Sequence, residues 1–309
     1  MTAYEKPSMD IAGVEALLKN HYGKQVQEVS MVSGGNLSAV FFFKHEERPY
    51  VIRFNELKGA FETERFISEL LASQGVPYPR MLALSKIGDL SYSISERMEG
   101  GMLADLTEEQ RAGLIPDLIH QISVMNHVDV GSTTGFGWLD ASGSGRYSSW
   151  QEYITLFYQE DQTGTFWEGW HDLFKTTCLE KDVFEECYAR LMTFSGYNAP
   201  HRHFVHNDCH AWNTLSDGLK ITGIIDANPV YGDFMIDISL AAGILPPAHN
   251  LIQAFRDYQE QQGIAFPNFN ERLLGAYYYK GLDGLRFYAK MGRNRDYDAA
   301  KSFLLNLTN

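Results

Sequence analysis

One stretch of the chain decides how it folds. Residues 203–226 read HFVHNDCHAWNTLSDGLKITGIID, in which Asp217-Gly218 lies between two apolar runs. An Asp-Gly pair in this setting is a strong signal for a tight turn between two antiparallel strands. Because the outer ends of such a pair of strands lie side by side, the pattern brings Asn213 and Asp226 towards each other.

The register of this hairpin can be counted outward from its turn. Counting in pairs from Asp217-Gly218 places Asn213 opposite Thr222. Asp226 then lies about four residues, or roughly 13 Å, beyond that pair. We therefore expect the chain to curl back after the second strand if Asn213 and Asp226 are to meet.

Three polar side chains of the stretch suit phosphate transfer. Asp208, Asn213 and Asp226 supply two carboxylates and one amide oxygen. These hard oxygen donors are what Mg²⁺ prefers when the substrate phosphates complete its ligand shell. In phosphoryl transfer one Asp receives the hydroxyl proton, while an Asn and a second Asp hold the metal. The three residues match these three tasks.

The rest of the chain divides into a β-rich part and a helical part. Changes in hydrophobic period predict strands at 29–32, 39–43, 50–54 and 90–96, and helices at 10–20, 57–74, 107–127, 149–161, 179–194, 250–262 and 270–290. Glu99-Gly100-Gly101 separates the two parts as a natural hinge. The prediction is an α+β chain with a small N-terminal lobe at 1–96, a hinge at about 96–101 and a larger, mainly helical lobe at 97–309.

Several motifs occur in a specific order along the chain. They are His206-x-Asp208-x4-Asn213, Ile224-Ile225-Asp226, Gly232-Asp233-x3-Asp237, Tyr50-Val51-Ile52-Arg53, Ile94-Ser95-Glu96-Arg97-Met98-Glu99-Gly100, Thr134-Gly135-Phe136-Gly137 and Tyr147-Ser148-Ser149-Trp150. Their order over about residues 30–240 resembles the aminoglycoside phosphotransferase and kinase-like family, and within it the members that phosphorylate hygromycin B. The resemblance implies a bilobal fold like that of protein kinases.

The resemblance also implies roles for residues on the acceptor and metal side. It makes Asp208 the catalytic base, and Asn213 and Asp226 the Mg²⁺ ligands. Two positions depart from the family pattern, because Asn207 stands in place of a small Gly or Ala and Ala227 in place of an aromatic residue. The departures leave open a second hypothesis, a nucleotide-binding module without catalysis.

On the nucleotide side, the resemblance implies that Arg53 faces the ATP phosphates and that Glu64 is its ion-pair partner. The position of Glu64 supports this pairing independently, since it falls on the apolar stripe of its predicted helix between Phe61 and Leu71. An unpaired carboxylate would be costly to bury there. A structural ion pair away from any active site is the alternative.

Two further segments complete the predicted ATP cleft. Backbone N–H groups of the Ser33, Gly34 and Gly35 turn can cradle a phosphate, although the turn lacks the full glycine-rich pattern of kinases. The hinge, with Glu96 and Met98, is where the resemblance places the nucleotide base. We expect ATP and Mg²⁺ as cofactors.

Four histidines near Asp208 favour a rival chemistry. His201, His203, His206 and His210 lie within ten residues, with Cys209 beside them, and imidazole and thiolate groups suit zinc. A catalytic zinc hydrolase would draw further ligands from downstream, where only His249 remains. The simpler interpretation is that His206 braces the loop.

Charge and composition narrow the possible partners. The chain carries 39 acidic and 26 basic residues, a formal charge of -13, which has the wrong sign for binding nucleic acid. The three cysteines form no even-numbered disulfide framework, and the N-terminus lacks a signal-peptide layout. We expect no membrane segment and a cytoplasmic location.

The acceptor is expected to be a cationic small molecule. Residues 152–190 contain nine acidic and three basic residues, interleaved with many aromatic residues. Such a surface attracts ammonium groups and offers aromatic faces to sugar rings or cations, unless the aromatic residues form the core of a helical subdomain. An aminoglycoside-type antibiotic such as hygromycin B is the first choice, and a macrolide or another small metabolite is the alternative.

Overall fold

The computed structural model describes residues 6–23, 26–35, 37–57, 59–131 and 133–308. The first part of the chain builds a five-stranded antiparallel sheet with two helices. Its elements are α1 (Ile11–Tyr22), β1 (Val26–Met31), β2 (Ala39–His45), β3 (Arg48–Asn55), α2 (Glu62–Ser73), β4 (Met81–Ile87) and β5 (Leu90–Glu96). The strand order is β1-β2-β3-β5-β4.

The alternation of side chains gives this sheet two different faces. Phe41, Ile52 and Ile94 lie opposite one another across β2, β3 and β5, and they form a buried core with α1. Arg53 is the residue after Ile52 on β3, and it lies opposite Val40 on β2 and Ser93 on β5. Because successive residues of a strand point to opposite faces, Arg53 projects away from the α1 core.

The remainder of the chain is mainly helical. Its elements are β6 (Gly101–Met102), α3 (Glu108–Gly113), α4 (Ile115–Asn126), β7 (Phe136–Leu139), β8 (Gly145–Tyr147), α5 (Trp150–Phe157), α6 (Leu173–Thr176), α7 (Lys181–Asn198), β9 (His203–Val205), β10 (Thr214–Ser216), β11 (Ile221–Ile224), β12 (Val230–Gly232), α8 (Met235–Ala241), α9 (Leu251–Gln261), α10 (Phe269–Lys290) and α11 (Asn294–Asn306). Two small sheets, β11-β10-β6 and β8-β7-β12-β9, lie among the helices.

This architecture confirms the predicted α+β class, with local corrections. The predicted helix at 107–127 is two helices, because Pro116 sits in the first turn of α4, where a proline suits the start of a helix better than its interior. Helix α2 begins at Glu62 rather than at residue 57. Strand β4 and helices α8 and α11 were not predicted.

The predicted register of the hairpin is wrong by three residues. Thr214 pairs with Ile224 and Ser216 with Ile221, so the connection is four residues long and the ladder contains an irregularity. The Asp217 carboxylate organises this longer turn by accepting hydrogen bonds from two backbone N–H groups within it. The N–H of Ile225 donates to the Asn213 carbonyl at 2.9 Å, so Asp226 follows directly and no curl is needed.

The helices of the described residues differ from membrane-spanning helices in length and composition. Within the described ranges, no single helix has both the length and the apolar character needed to cross a membrane. The segments Met235–Ile244 and Pro247–Gln261 meet that requirement only together, and they are bent by 118°.

Candidate active site

A buried carboxylate shapes the loop between β9 and β10, residues 206–213, which we call the catalytic loop. Asp237 accepts hydrogen bonds from the backbone N–H groups of His206 at 2.9 Å and Asn207 at 2.8 Å, and from the Asn126 side chain at 2.7 Å. Burial raises the pKa of Asp237 to about 6, although these donors oppose the shift. The fully buried Asp237 therefore fixes the loop backbone from below.

His206 braces the same loop from within. Its Nδ1 atom accepts from the N–H of Asp208 at 3.2 Å, so Nε2 carries the proton and donates to the Ile225 carbonyl at 3.0 Å. Burial lowers the pKa of His206 to about 3, so the ring is neutral near pH 7. The imidazole ties the catalytic loop to the end of β11.

Asn207 fits a backbone conformation that explains its place beside Asp208. Its φ angle is 63°, in the left-handed region that glycine and asparagine tolerate best. Its side chain donates to the Asn228 carbonyl at 2.9 Å. The substitution for the small residue of the family pattern therefore preserves the loop conformation.

Asp208 and Asn213 are in direct contact. The Asn213 Nδ2 atom donates to Oδ2 of Asp208 at 3.0 Å and to its backbone carbonyl at 3.1 Å. The amide nitrogen is thus committed, which leaves the amide oxygen available to a metal ion. Burial raises the pKa of the Asp208 carboxyl, while His210 and Lys280 oppose the shift.

Arg53 joins the N-terminal sheet to the end of the hairpin. One of its terminal nitrogens donates to Glu64 on α2, and the other lies 3.2 Å from Oδ1 of Asp226. Burial by itself lowers the pKa of Arg53, but Glu64 and Asp226 outweigh it and raise the pKa, so the guanidinium stays charged. Arg53 and Glu64 are each 14% exposed, whereas Asp226 is 67% exposed.

The other residues predicted to bind nucleotide lie in the turn at residues 33–35 and at the hinge. Gly34 and Gly35 have φ angles of 103° and 70°, and the Lys6 ammonium donates to the Gly34 carbonyl at 2.9 Å. Ser33 begins this turn directly after β1 and Val32. Asn36 lies outside the described residues. Both φ angles are positive, a backbone conformation that glycine adopts more readily than other residues.

The hinge packs closely against the hairpin that carries Asn213. Glu96 ends β5, and its N–H donates to the Arg80 carbonyl at 3.0 Å. The Met98 side chain packs on Gly223 of β11. Gly100 has a φ angle of 96°, and any Cβ there would lie 2.4 Å from the Ser216 carbonyl oxygen. These contacts place the hinge beside the ends of β10 and β11.

Lys280 was missed by the sequence analysis. Its ammonium, on α10, donates to the Asn207 carbonyl at 2.8 Å and to Asp283 at 3.3 Å. Its side chain is only 13% exposed. A charged residue among the apolar positions of a helix was the available signal, the same signal that identified Glu64.

The histidine cluster does not form a zinc site. Among the residues that the structure describes, no three His, Cys, Asp or Glu side chains are placed to hold a metal ion. Both ring nitrogens of His206 are already engaged, and burial lowers the pKa of His203 to about 4. Cys209 is fully buried, and burial raises the pKa of its thiol.

The aromatic residues expected to face the acceptor are instead part of the core. The buried side chains are Trp150, Tyr153, Phe157, Tyr158, Trp167 and Trp170. Four of them surround the buried Arg286 guanidinium, with ring centroids 4.2 to 5.0 Å away. The burial of these rings favours the alternative that they form the core of a helical subdomain, while acidic side chains of the segment such as Asp172 and Glu185 remain exposed.

The chain is similar to several characterised proteins. Hygromycin-B 4-O-kinase from Escherichia coli is 27% identical over 237 residues, which cover 76% of this chain and 67% of the relative. A thermostable mutant of aminoglycoside phosphotransferase APH(4)-Ia, solved with AMP-PNP and hygromycin B, superposes with a TM-score of 0.79 at 23% identity, over 95% of this chain and 97% of that one.

A more distant structure shares the fold. Spectinomycin phosphotransferase APH(9)-Ia, solved with ADP and spectinomycin, has a TM-score of 0.63 at 13% identity, over 98% of this chain and 99% of that one. The model of one protein family, the phosphotransferase enzyme family APH, matches residues 28–288. That span includes α2, the hinge and the whole catalytic loop, so the chain belongs to the phosphotransferase enzyme family.

Proposed function

We propose that this protein is an ATP- and Mg²⁺-dependent O-phosphotransferase that acts on a hydroxyl group of an aminoglycoside-type antibiotic, with hygromycin B as its first candidate. One observation carries the proposal. Asp208 and Asn213 are in contact on one loop, while Asp226 at the end of the same hairpin is paired with Arg53. These contacts bring together the four residues to which the proposal assigns the roles of base, metal ligands and phosphate-binding cation.

Asp208 is the catalytic base of this proposal. Its Oδ2 atom is held by Asn213, and its Oδ1 atom, which lies 3.4 Å from Nε2 of His210, is assigned to take the proton of the acceptor hydroxyl. The acceptor oxygen then forms a bond to the γ-phosphorus of ATP, and the bond from that phosphorus to the bridging oxygen breaks as ADP leaves. The contacts with Asn213 and His210 keep the Asp208 carboxylate in place for the proton transfer.

Asn213 and Asp226 have the donor atoms that suit Mg²⁺. The free amide oxygen of Asn213 and the exposed carboxylate of Asp226 are hard oxygen ligands. When bound there, Mg²⁺ neutralises charge on the phosphate groups. Arg53 donates a hydrogen bond to Oδ1 of Asp226 at 3.2 Å, which orients this carboxylate towards the N-terminal sheet.

The nucleotide lies between the two predicted lobes, residues 1–96 and 97–309. Arg53, held by Glu64, binds the phosphates, because a guanidinium can serve a carboxylate and a phosphate together. The turn formed by Ser33, Gly34 and Gly35 offers backbone N–H groups to the same phosphates. The backbone of Glu96 and Met98 at the hinge binds the nucleotide base.

The acceptor is a cationic small molecule in this proposal. The acidic side chains of residues 152–190 attract ammonium groups, and the net charge of -13 strengthens that attraction. Hygromycin B is favoured because the relative from Escherichia coli is a hygromycin-B kinase and the similar structure was solved with this antibiotic. We place the reaction in the cytoplasm.

The test is acceptor-dependent ADP release from purified protein with MgATP. The panel consists of hygromycin B, spectinomycin, a macrolide and choline, with Asp208→Asn as the inactive variant. Asp257→Asn is the matched control, because the exposed Asp257 side chain lies on α9, outside residues 152–190 and the proposed site, and accepts a hydrogen bond from Gln253 of its own helix at 2.7 Å. Release that requires hygromycin B, and that Asp208→Asn loses, supports the proposal.

Two outcomes would contradict it. ADP release by Asp208→Asn at the rate of the Asp257→Asn control would remove Asp208 from the role of base. Saturable nucleotide binding without release on any acceptor would instead favour the alternative of a nucleotide-binding module without catalysis.

A further inference from the structure

Helix α2, which carries Glu64, belongs to two regions of the molecule. It follows β3 in sequence, but its buried residues Ile67 and Leu71 are part of the large hydrophobic core formed by the helical part of the chain. The core between the N-terminal sheet and α1 does not include them. The position of Glu64 is therefore set by residues beyond the hinge as well as by β4 and its approach, where the Ser68 hydroxyl donates to the Pro79 carbonyl at 3.0 Å and accepts from the Met81 N–H at 2.7 Å.

The segment 139–145, which connects β7 to β8 and which we call the docking loop, contacts the first turns of α2. The Thr63 hydroxyl donates to the Leu139 carbonyl at 3.4 Å. The Phe66 ring lies directly on the backbone of Gly143, where an added Cβ would be 2.3 Å from the ring. Thr63 and Phe66 flank Glu64, so both contacts act on the turn that presents its carboxylate.

The docking loop is itself held in shape by several hydrogen bonds. One carboxylate oxygen of Asp140 accepts from the N–H and hydroxyl of Ser142 at 2.8 and 2.6 Å, and from the N–H of Ser144 at 3.2 Å. The buried Tyr231 hydroxyl donates to the Gly143 carbonyl at 2.9 Å. Because Tyr231 lies on β12, the loop is tied to the β-sheet of the helical part.

A second contact fixes the other end of α2. The Gln74 side chain, at the C-cap, donates to the Asp129 carbonyl at 2.9 Å and accepts from the Asp129 N–H at 2.7 Å. Asp129 follows α4, so it too lies beyond the hinge. Both ends of α2 are therefore attached to the same part of the molecule, which limits the movement of the helix between them.

We propose that the docking loop positions α2 so that Glu64 stays against Arg53, and that this keeps the phosphate-binding cation in place without any activating partner. The inference rests on the proposed function, because that function assigns Arg53 to the nucleotide phosphates. Phe66 and Gly143 act through Glu64 and are positioning residues.

The test compares two glycine substitutions with the same backbone strain. Gly143→Ala adds a methyl group against Phe66 at a φ angle of +81°, whereas Gly164→Ala adds one at +77° with nothing within 4 Å. The affinity for Mg-AMP-PNP, measured by calorimetry at a temperature where all variants are folded, should fall about tenfold in Gly143→Ala, as for one lost hydrogen bond to a charged group. Gly164→Ala should match the wild type.

Phe66→Ala supplies an independent variant, since it removes the contact without adding strain. It should weaken Mg-AMP-PNP binding in the same direction and leave the KM for the acceptor unchanged. In the double variant Phe66→Ala/Gly143→Ala the methyl group no longer meets the ring. The affinity of the double variant should therefore equal that of Phe66→Ala alone.

Hydrogen exchange separates this inference from the proposed function. Backbone amides of α2 should exchange faster in Phe66→Ala and Gly143→Ala than in the wild type and in Gly164→Ala. Unchanged exchange in α2, or a loss of melting temperature with unchanged nucleotide affinity, would overturn the positioning role. A wild-type protein that binds no nucleotide would contradict the proposed function, and the exchange rates of α2 would still decide whether the loop holds the helix.

Discussion

Two arginines of this protein form buried ion pairs with opposite characters. Arg272 is 2% exposed and uses two nitrogens, at 2.8 and 2.7 Å, to bind Asp233, which is 0% exposed. Asn198 donates a further hydrogen bond to the same carboxylate at 2.9 Å. Arg53 instead binds two different carboxylates, one terminal nitrogen contacting the mostly buried Glu64 and the other contacting the exposed Asp226.

The difference shows how the surroundings separate a structural pair from a chemical one. Asp233, Arg272 and Asn198 satisfy one another and meet almost no water, so the Asp233 carboxylate is closed to a metal ion or a substrate. Asp226 keeps most of its surface in solvent, which leaves it accessible to the metal ion that the proposed function assigns to it. Substitutions in the Arg272 pair are expected to lower the free energy of unfolding more than substitutions in the Arg53 pair.

Arg272→Met should have the largest effect. It leaves the Asp233 carboxylate buried without its cation, which costs about 3–5 kcal/mol in comparable buried pairs. Urea denaturation measures the loss, and nucleotide affinity of the folded protein should stay that of the wild type. A destabilisation below about 1 kcal/mol, the range of exposed pairs, would contradict the structural assignment.

Arg53→Met should destabilise the fold less, by about 1–3 kcal/mol, because Glu64 retains some contact with water. Its larger consequence is functional. Calorimetry should show a marked loss of Mg-AMP-PNP affinity, and Arg53→Lys should recover part of it by restoring the charge. Wild-type affinity in Arg53→Met would show that this pair is structural as well.

His206 extends the comparison to a buried group that has no charge partner. Its pKa is lowered to about 3, so the unfolded chain takes up a proton below about pH 6.5 and the folded chain does not. The stability that neutral His206 supplies is present above pH 6.5 and is lost as the pH falls. The advantage of the wild type over His206→Gln should therefore shrink by about 1.4 kcal/mol per pH unit between pH 6 and 4.

Denaturation of both proteins across that pH range gives this slope directly. His21→Gln is a suitable control for histidine loss outside the loop, because the exposed His21 side chain lies in the last turn of α1. A constant difference between the wild type and His206→Gln would mean that His206 is protonated in the folded state.

Asp226→Asn should have the smallest effect on stability. The Asp226 side chain is 67% exposed, and pairs of this kind are worth under about 1 kcal/mol. Turnover should nevertheless require much more Mg²⁺, because a neutral amide is a weaker ligand than a carboxylate. An unchanged Mg²⁺ dependence would exclude Asp226 from the ligand set.

The sequence carried more information about local elements than about contacts between them. The hydrophobic periods at 39–43, 50–54 and 90–96 predicted real strands, and the period at 10–20 predicted a real helix, because these signals depend on neighbouring residues alone. The register of the hairpin was missed because an irregularity in its ladder and a four-residue turn leave no clear sequence signal.

The site shows the same limit. Asp208 and Asn213 were identified from their residue types and spacing, whereas the pairing of Arg53 with Glu64 came from the family resemblance and was supported by a charge on an apolar stripe. The contact between Lys280 and Asn207 joins residues 73 positions apart, so no local pattern could predict it. The aromatic residues of 152–190 were ambiguous for a related reason, because amino-acid composition does not say which aromatic side chains are buried.

The most direct test of the account is to identify the product. Purified protein is incubated with MgATP and hygromycin B, and the antibiotic is then analysed by mass spectrometry and by ³¹P NMR. The account predicts that hygromycin B gains a single phosphate group as an ester of one hydroxyl, and that Asp208→Asn gives no product. Unmodified antibiotic with the wild type, or equal product from Asp208→Asn, would contradict it.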